Sequence, residues 1–190
     1  MTPRTQAVEY LVMHHWGGWS PANREEAAAS CRAEGYADIP YHYLIMAEGV
    51  VWPGRGEQWE SAANLGINHK ALAFCLLGNF DADDNPSGAR GLPIAPTDAQ
   101  LLAAGQLVKE LLSRHPDAKL IQHRDVARLQ LESGQPAGLL TVRGKLVSVA
   151  TACPGSRAVA TRAAWVIFLL ASGLALEAAR ARALVEPPHP

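Results

Sequence analysis

Net charge is nearly absent from this sequence: 17 basic residues stand against 18 acidic ones, for a formal charge of -1. No global field therefore draws the chain toward nucleic acid or an anionic membrane, and polyanions are poor partners for it. A membrane-spanning run is missing as well. The apolar stretch Ala163 to Leu176 has 14 positions and is closed off by Arg162 and Glu177, whereas a bilayer needs roughly 20. It reads as a final helix packed on the core, with no stable membrane insertion. Met1 to Glu9 lacks the apolar core of a secretory signal, so the expected product is cytoplasmic as synthesised. Cysteine is scarce and odd in number, with only Cys31, Cys75 and Cys153; such thiols stay reduced and can bind metal. No internal repeat is evident.

What is present suits one hydrophobic core. A chain of 190 residues that is 48% hydrophobic is too short for two comfortable domains. Val8 to His15 is apolar, partly β-branched and stopped by Gly17-Gly18, which predicts a buried strand carrying His14 and His15 at its C-terminal end. Ser20-Pro21 and Asn23 with Glu26 are helix-start patterns and Gly35 is a stop, so a helix is expected near 22–34. Tyr41 to Met46 and Val50 to Trp52 read as a hairpin around Ala47-Glu48-Gly49, with Tyr41 opening its first strand. Ala71 to Leu77 is a central strand, and 81–96 a long surface loop. Thr97 with Gln100 forms a capping box for a helix whose apolar face is Leu101, Leu102, Leu107, Val108, Leu111 and Leu112. Leu120 to Gln122 is a short strand delivering His123, and Leu139 to Ala150 a hairpin turning at Arg143-Gly144-Lys145. Interleaved strands and helices indicate an α/β fold: a single domain with a central mixed β-sheet flanked by helices, plus an inserted hairpin and a C-terminal helix. The expected limits are 1–162 for the domain, about 128–150 for the insertion, and 163–190 for the C-terminal helix and tail.

Two histidines stand at predicted strand ends and a cysteine follows a third strand-like run. A catalytic zinc site needs three protein ligands and leaves a fourth position for water or substrate. His14, His123 and Cys153 would supply that set. His15 competes with His14, and because neighbours on a strand point to opposite faces, only one of the two can serve.

Seven motifs then occur in a fixed order: Val12-Met13-His14-His15, Asp38 to Ile45 (Asp-Ile-Pro-Tyr-His-Tyr-Leu-Ile), Gly54-Arg55, Gly66-Ile67-Asn68-His69, Leu77 to Asp81 (Leu-Gly-Asn-Phe-Asp), His123-Arg124-Asp125 and Thr151 to Gly155 (Thr-Ala-Cys-Pro-Gly). In this the chain resembles the N-acetylmuramoyl-L-alanine amidases shared by phage lysins and peptidoglycan recognition proteins. The resemblance implies Zn2+ on His14, His123 and Cys153, and hydrolysis of the amide between N-acetylmuramic acid and L-alanine by a zinc-activated water. It implies Tyr41 and Thr151 as catalytic groups facing the scissile carbonyl, and Asn68 and His69 as contacts to the stem peptide. Arg124 and Asp125 would orient or support the histidine ligand. Trp16, Trp19, Trp52 and Trp59 could stack on sugar rings or pack the core and rim. Peptidoglycan or a muropeptide is the implied partner of a monomer, acting on the cell wall if the chain is a lysin.

The sequence departs from that pattern in two places. The 30 positions between His123 and Cys153 exceed the family's usual spacing, hence the predicted hairpin beside the site. Ala63 stands where many relatives carry a histidine. A recognition module that binds peptidoglycan fragments without cutting them is the competing function, although such relatives typically lose the cysteine kept here as Cys153. A structural part of a phage particle is the third.

Overall fold

A computed structural model describes residues 1–18, 21–81 and 94–126, the strands 139–142 and 145–148, and Cys153. Its centre is a five-stranded sheet in the order β3-β2-β4-β1-β5. The strands are β1 (Tyr10–His15), β2 (Tyr43–Ile45), β3 (Val51–Pro53), β4 (Ala71–Leu76) and β5 (Lys119–Gln122). β1 runs parallel to β4 and β5, and β2 parallel to β4, while β2 and β3 form the one antiparallel pair in this sheet. The mixed α/β sheet is the one expected. Two further strands, β6 (Leu139–Val142) and β7 (Lys145–Ser148), pair antiparallel as the predicted hairpin.

Among the described residues, two α-helices cover the sheet. α1 (Arg24–Ala33) begins where the Asn23 side chain accepts the Glu26 N–H, and the Glu26 carboxylate reaches back to the Ala22 N–H. These contacts satisfy donors that the first turn leaves open. The longer helix α2 (Asp98–Arg114) starts on Thr97, whose hydroxyl accepts the Gln100 N–H. The capping box predicted there is only half formed. The buried Gln100 carboxamide instead donates to the carbonyls of Ile45 and Leu77, which fixes the first turn of α2 to two strand ends; the Ile45 carbonyl also accepts the Leu77 N–H.

The apolar face of α2 also differs by one residue from the sequence reading. Leu101, Leu107, Val108, Leu111 and Leu112 are buried, whereas Leu102 is 45% exposed. Helical spacing aligns Leu101 with Val108 and Leu112 on one stripe and turns Leu102 off its edge. The buried residues pack on Leu11, Met13, Leu72, Phe74 and Phe80 in one cluster. On the other face, Ala27 and Ala28 of α1 pack with Ile39, Leu44 and Cys75. Tyr41 does not open a strand: β2 begins at Tyr43, and the Tyr41 carbonyl turns away to accept the Arg55 N–H. Trp19, the greater part of the 81–96 loop, Thr151, and the expected helix within 163–190 lie outside the described residues.

Candidate metal centre

The parallel register explains how distant residues meet. Met13 pairs with Gln122, so His14 and His123 come next to each other where β1 and β5 end together. Open α/β sheets gather ligand-binding groups at such carboxyl ends. The rings of His14 and His123 lie 4.4 Å apart between centroids. The 30-residue span to Cys153 is closed by a backbone hydrogen bond of 2.9 Å from the Arg124 N–H to the Cys153 carbonyl. The long span therefore returns Cys153 to the turn that follows β5.

One ligand atom each from His14, His123 and Cys153 lies within 4.8 Å of the others. The closest defined pair is His14 Nδ1 and Cys153 Sγ at 3.6 Å. Nitrogen and sulfur bound to one tetrahedral zinc would sit ~3.5 Å apart, from the ~2.0 and ~2.3 Å bond lengths. The donor set, two imidazoles and a thiol, is one that zinc accepts with a position left open. Burial pushes His14 well below the usual imidazole range, with His123 nearby adding to the effect. It pushes His123 down to about 4 and the Cys153 thiol up to about 12. Neutral imidazoles are ready ligands, while the thiol must give up its proton to a metal ion.

His15 stands outside this group. β1 alternates, so Leu11, Met13 and His15 face α2 while Val12 and His14 face the opposite side. His15 Nδ1 accepts the Phe80 N–H at 3.1 Å, and its ring lies 5.9 Å from that of Phe80. Its backbone N–H points to Cys153 Sγ at 3.4 Å. The two candidates of the sequence are thus separated by the pleat.

Tyr41 lies beside the site, its ring 5.0 Å from that of His14. Burial raises its phenol well above the usual range, so it stays a proton donor. The segment that carries it is built by the Gly54-Arg55 motif. A Cβ on Gly54 would come within 2.1 Å of the Tyr41 carbonyl oxygen, and the Arg55 guanidinium donates to the carbonyls of Ile39, Glu60 and Asp38. Tyr41, Trp16, Gly17 and Tyr36 line a cleft of about 360 Å³. Trp52 packs instead against the α1 cluster, and the Trp59 carbonyl accepts from His42.

Asn68 and His69 begin a short 3-10 turn before β4. The Asn68 Oδ1 is turned inward, taking the Ser61 hydroxyl and the Asn64 N–H. Asn64, fully buried, bonds His14 Nε2 at 2.8 Å. Neither Ser61 nor Asn64 stood out in the sequence, since a Ser and an Asn in a Gly-containing loop look like ordinary turn residues. Arg124 and Asp125 act on the backbone: Asp125 accepts the Gln122 N–H, and Arg124 holds the Gln122 side chain. They fix the turn that presents His123.

Comparison with known proteins bears on the family and the fold. Residues 4–137 match the family model described as N-acetylmuramoyl-L-alanine amidase, a match that ends before Cys153. The endolysin of Klebsiella phage KP32 is 32% identical over 96 residues, 50% of this chain and 60% of that protein. The chain thus spans about three fifths of the length of that relative. Human N-acetylmuramoyl-L-alanine amidase is 28% identical over 99 residues, 15% of its length. Among solved structures, the amidase LysC from Clostridium intestinale URNW has a TM-score of 0.62 at 18% identity, covering 92% of this chain and 95% of that one. Bumblebee PGRP-SA has a TM-score of 0.58 at 23% identity, covering 83% and 81%. On the match over 4–137, the chain belongs to the N-acetylmuramoyl-L-alanine amidase family.

Proposed function

We propose that the protein is a zinc-dependent hydrolase that cleaves the amide between N-acetylmuramic acid and L-alanine of peptidoglycan. The observation that carries the proposal is the convergence of His14, His123 and Cys153 at one strand end, in a chain of this family. Zinc held by these three residues would supply Lewis acidity toward a water and toward the scissile carbonyl. The protein's own groups do the rest. The cleft lined by Trp16 and Tyr41 takes the substrate, and it adjoins the ligands through Tyr41, whose ring lies 5.0 Å from that of His14. The Tyr41 phenol, neutral at working pH, donates to the oxyanion that forms as the amide is attacked. Thr151, two residues before Cys153, is assigned a second donor role on the resemblance alone. His69, and the carboxamide nitrogen of Asn68, are the groups assigned to the stem peptide. Cell wall or its soluble muropeptides are the partner this site fits, as they are for a lysin.

The test is incubation of the zinc-loaded protein with muropeptide, reading free lactyl groups and new L-alanine amino termini. Product formed by wild type and lost in Cys153→Ala supports the reading. No product from protein with zinc bound sinks it, and muropeptide binding that persists after zinc is stripped would favour the recognition module.

A further inference from the structure

Behind His14 a run of hydrogen bonds fixes where each proton lies. The Asn64 backbone N–H can only donate, and it meets a side-chain atom of Asn68 at 2.7 Å; that atom is therefore the oxygen, Oδ1. Ser61 Oγ meets the same oxygen at 2.7 Å, so the hydroxyl spends its single proton there. Toward Asn64, at 2.9 Å, Ser61 Oγ is left as an acceptor, and Asn64 must present its Nδ2. The other end of that carboxamide, Oδ1, then faces His14 Nε2 at 2.8 Å. An acceptor there requires the proton to be on Nε2. The lone pair of His14 is left on Nδ1, the nitrogen 3.6 Å from Cys153 Sγ.

One backbone N–H thus sets the orientation of two carboxamides, one hydroxyl and one imidazole. Asn64 is fully buried and Ser61 nearly so, so a reversed Asn64 carboxamide would set its oxygen against the Ser61 oxygen, whose proton is already given to Asn68. A free imidazole samples both tautomers and can turn its ring over. Held from behind, His14 can do neither.

We propose that Asn64, itself oriented by Ser61 and Asn68, is a positioning residue that locks His14 as the Nε2–H tautomer and aims its Nδ1 into the metal site. The inference rests on the zinc reading for its purpose, but the tautomer belongs to the metal-free protein and can be read there. Asn68 then serves the ligand from behind through its oxygen, which the expected substrate role did not include.

Long-range 1H–15N spectra of the metal-free wild type assign the tautomer directly, and zinc affinity follows from competition with a chelator. The expected results are a proton on His14 Nε2 in wild type and a mixture of tautomers in Asn64→Leu. Zinc affinity in Asn64→Leu should fall by about 10- to 100-fold, the range seen when a ligand's supporting hydrogen bond is removed. Asn64→Asp keeps the acceptor and should recover most of that loss. A wild-type proton on Nδ1, or unchanged zinc affinity in folded Asn64→Leu, overturns the proposal. If Asn64→Leu does not fold, Ser61→Ala and the wild-type spectrum decide. A wild type that takes up no zinc yet shows the Nε2 proton would overturn the hydrolase reading and support the positioning network.

Discussion

On the face of β1 that meets α2, His15 receives a proton donor: the Phe80 N–H occupies its Nδ1, and the ring rests beside Phe80 in the apolar cluster. On the opposite face His14 meets Asn64 through Nε2 and turns Nδ1 toward Cys153. The two residues are chemically identical and one peptide bond apart. Their fates differ because a backbone donor consumes the lone pair of one, while a side-chain acceptor behind the other leaves its lone pair free. Availability of a nitrogen, rather than the presence of a histidine, is what separates the two as candidate ligands.

The largest effects come from exchanging the two. His14→Ala should abolish stoichiometric zinc and reduce muropeptide hydrolysis to background, whereas His15→Ala should keep its zinc and lose stability. The second cost is about 1–3 kcal/mol, for a buried Phe80 N–H left without its acceptor. Metal content by mass spectrometry and urea unfolding of both variants check this; zinc lost from His15→Ala and kept by His14→Ala would reverse the comparison. Next comes the packing that the His15 face depends on. Leu111 is fully buried in the α2 cluster, and Leu111→Ala should cost about 2–5 kcal/mol while the folded fraction retains wild-type zinc affinity. A loss of zinc affinity in step with stability would mean that the two faces are not independent.

How much of this was legible in the sequence follows the same division. Strand ends and motif order put His14, His123 and Cys153 forward together, and the periodicity of β1, α2 and β5 is strong enough to place each element, although it set the exposed Leu102 on the buried face of α2. The choice between His14 and His15 was not, since alternation alone does not say which face is which until α2 is placed on one of them. Tyr41 looks like a strand residue because its neighbours are, but the close approach of Gly54 bends the chain there first. Gln100 has the spacing of a capping residue, and only the fold reveals the carbonyls of Ile45 and Leu77 that claim its carboxamide. Asn64 and Ser61 were invisible because their role depends on a hydrogen-bond direction, which no residue pattern encodes.

A third histidine sharpens the contrast. His42 belongs with His15: its Nδ1 accepts the Ala73 N–H at 3.0 Å and its Nε2 donates to the Trp59 carbonyl at 3.0 Å. Both nitrogens are spent on backbone, and burial pushes its pKa down to about 4. The fold therefore favours the neutral ring. That contribution is fully present above the unfolded value near 6.5 and is lost as pH falls toward and through 4, about 3 kcal/mol in all. Wild type and His42→Gln, unfolded in urea at pH 7 and pH 4.5, should differ in how steeply stability falls. Both retain His14 and His123, so the difference isolates His42, and identical slopes would refute the assignment.

The smallest effect is expected at the end of α2 remote from Gln100, where Glu57 meets Arg114 in a two-pronged pair at 2.7 and 2.9 Å and takes the Tyr43 hydroxyl. The geometry is good, yet the Arg114 side chain is 42% exposed, and water screens such a pair. Glu57→Gln keeps an acceptor for Tyr43 and removes only the charge, so about 0.5–1 kcal/mol should be lost at low salt and less at high salt. Zinc affinity should not change at all. If it does, the end of α2 communicates with the strand end that carries His14, and the independence of the two faces fails where, among the described residues, no hydrogen bond joins this pair to His14, His123 or Cys153.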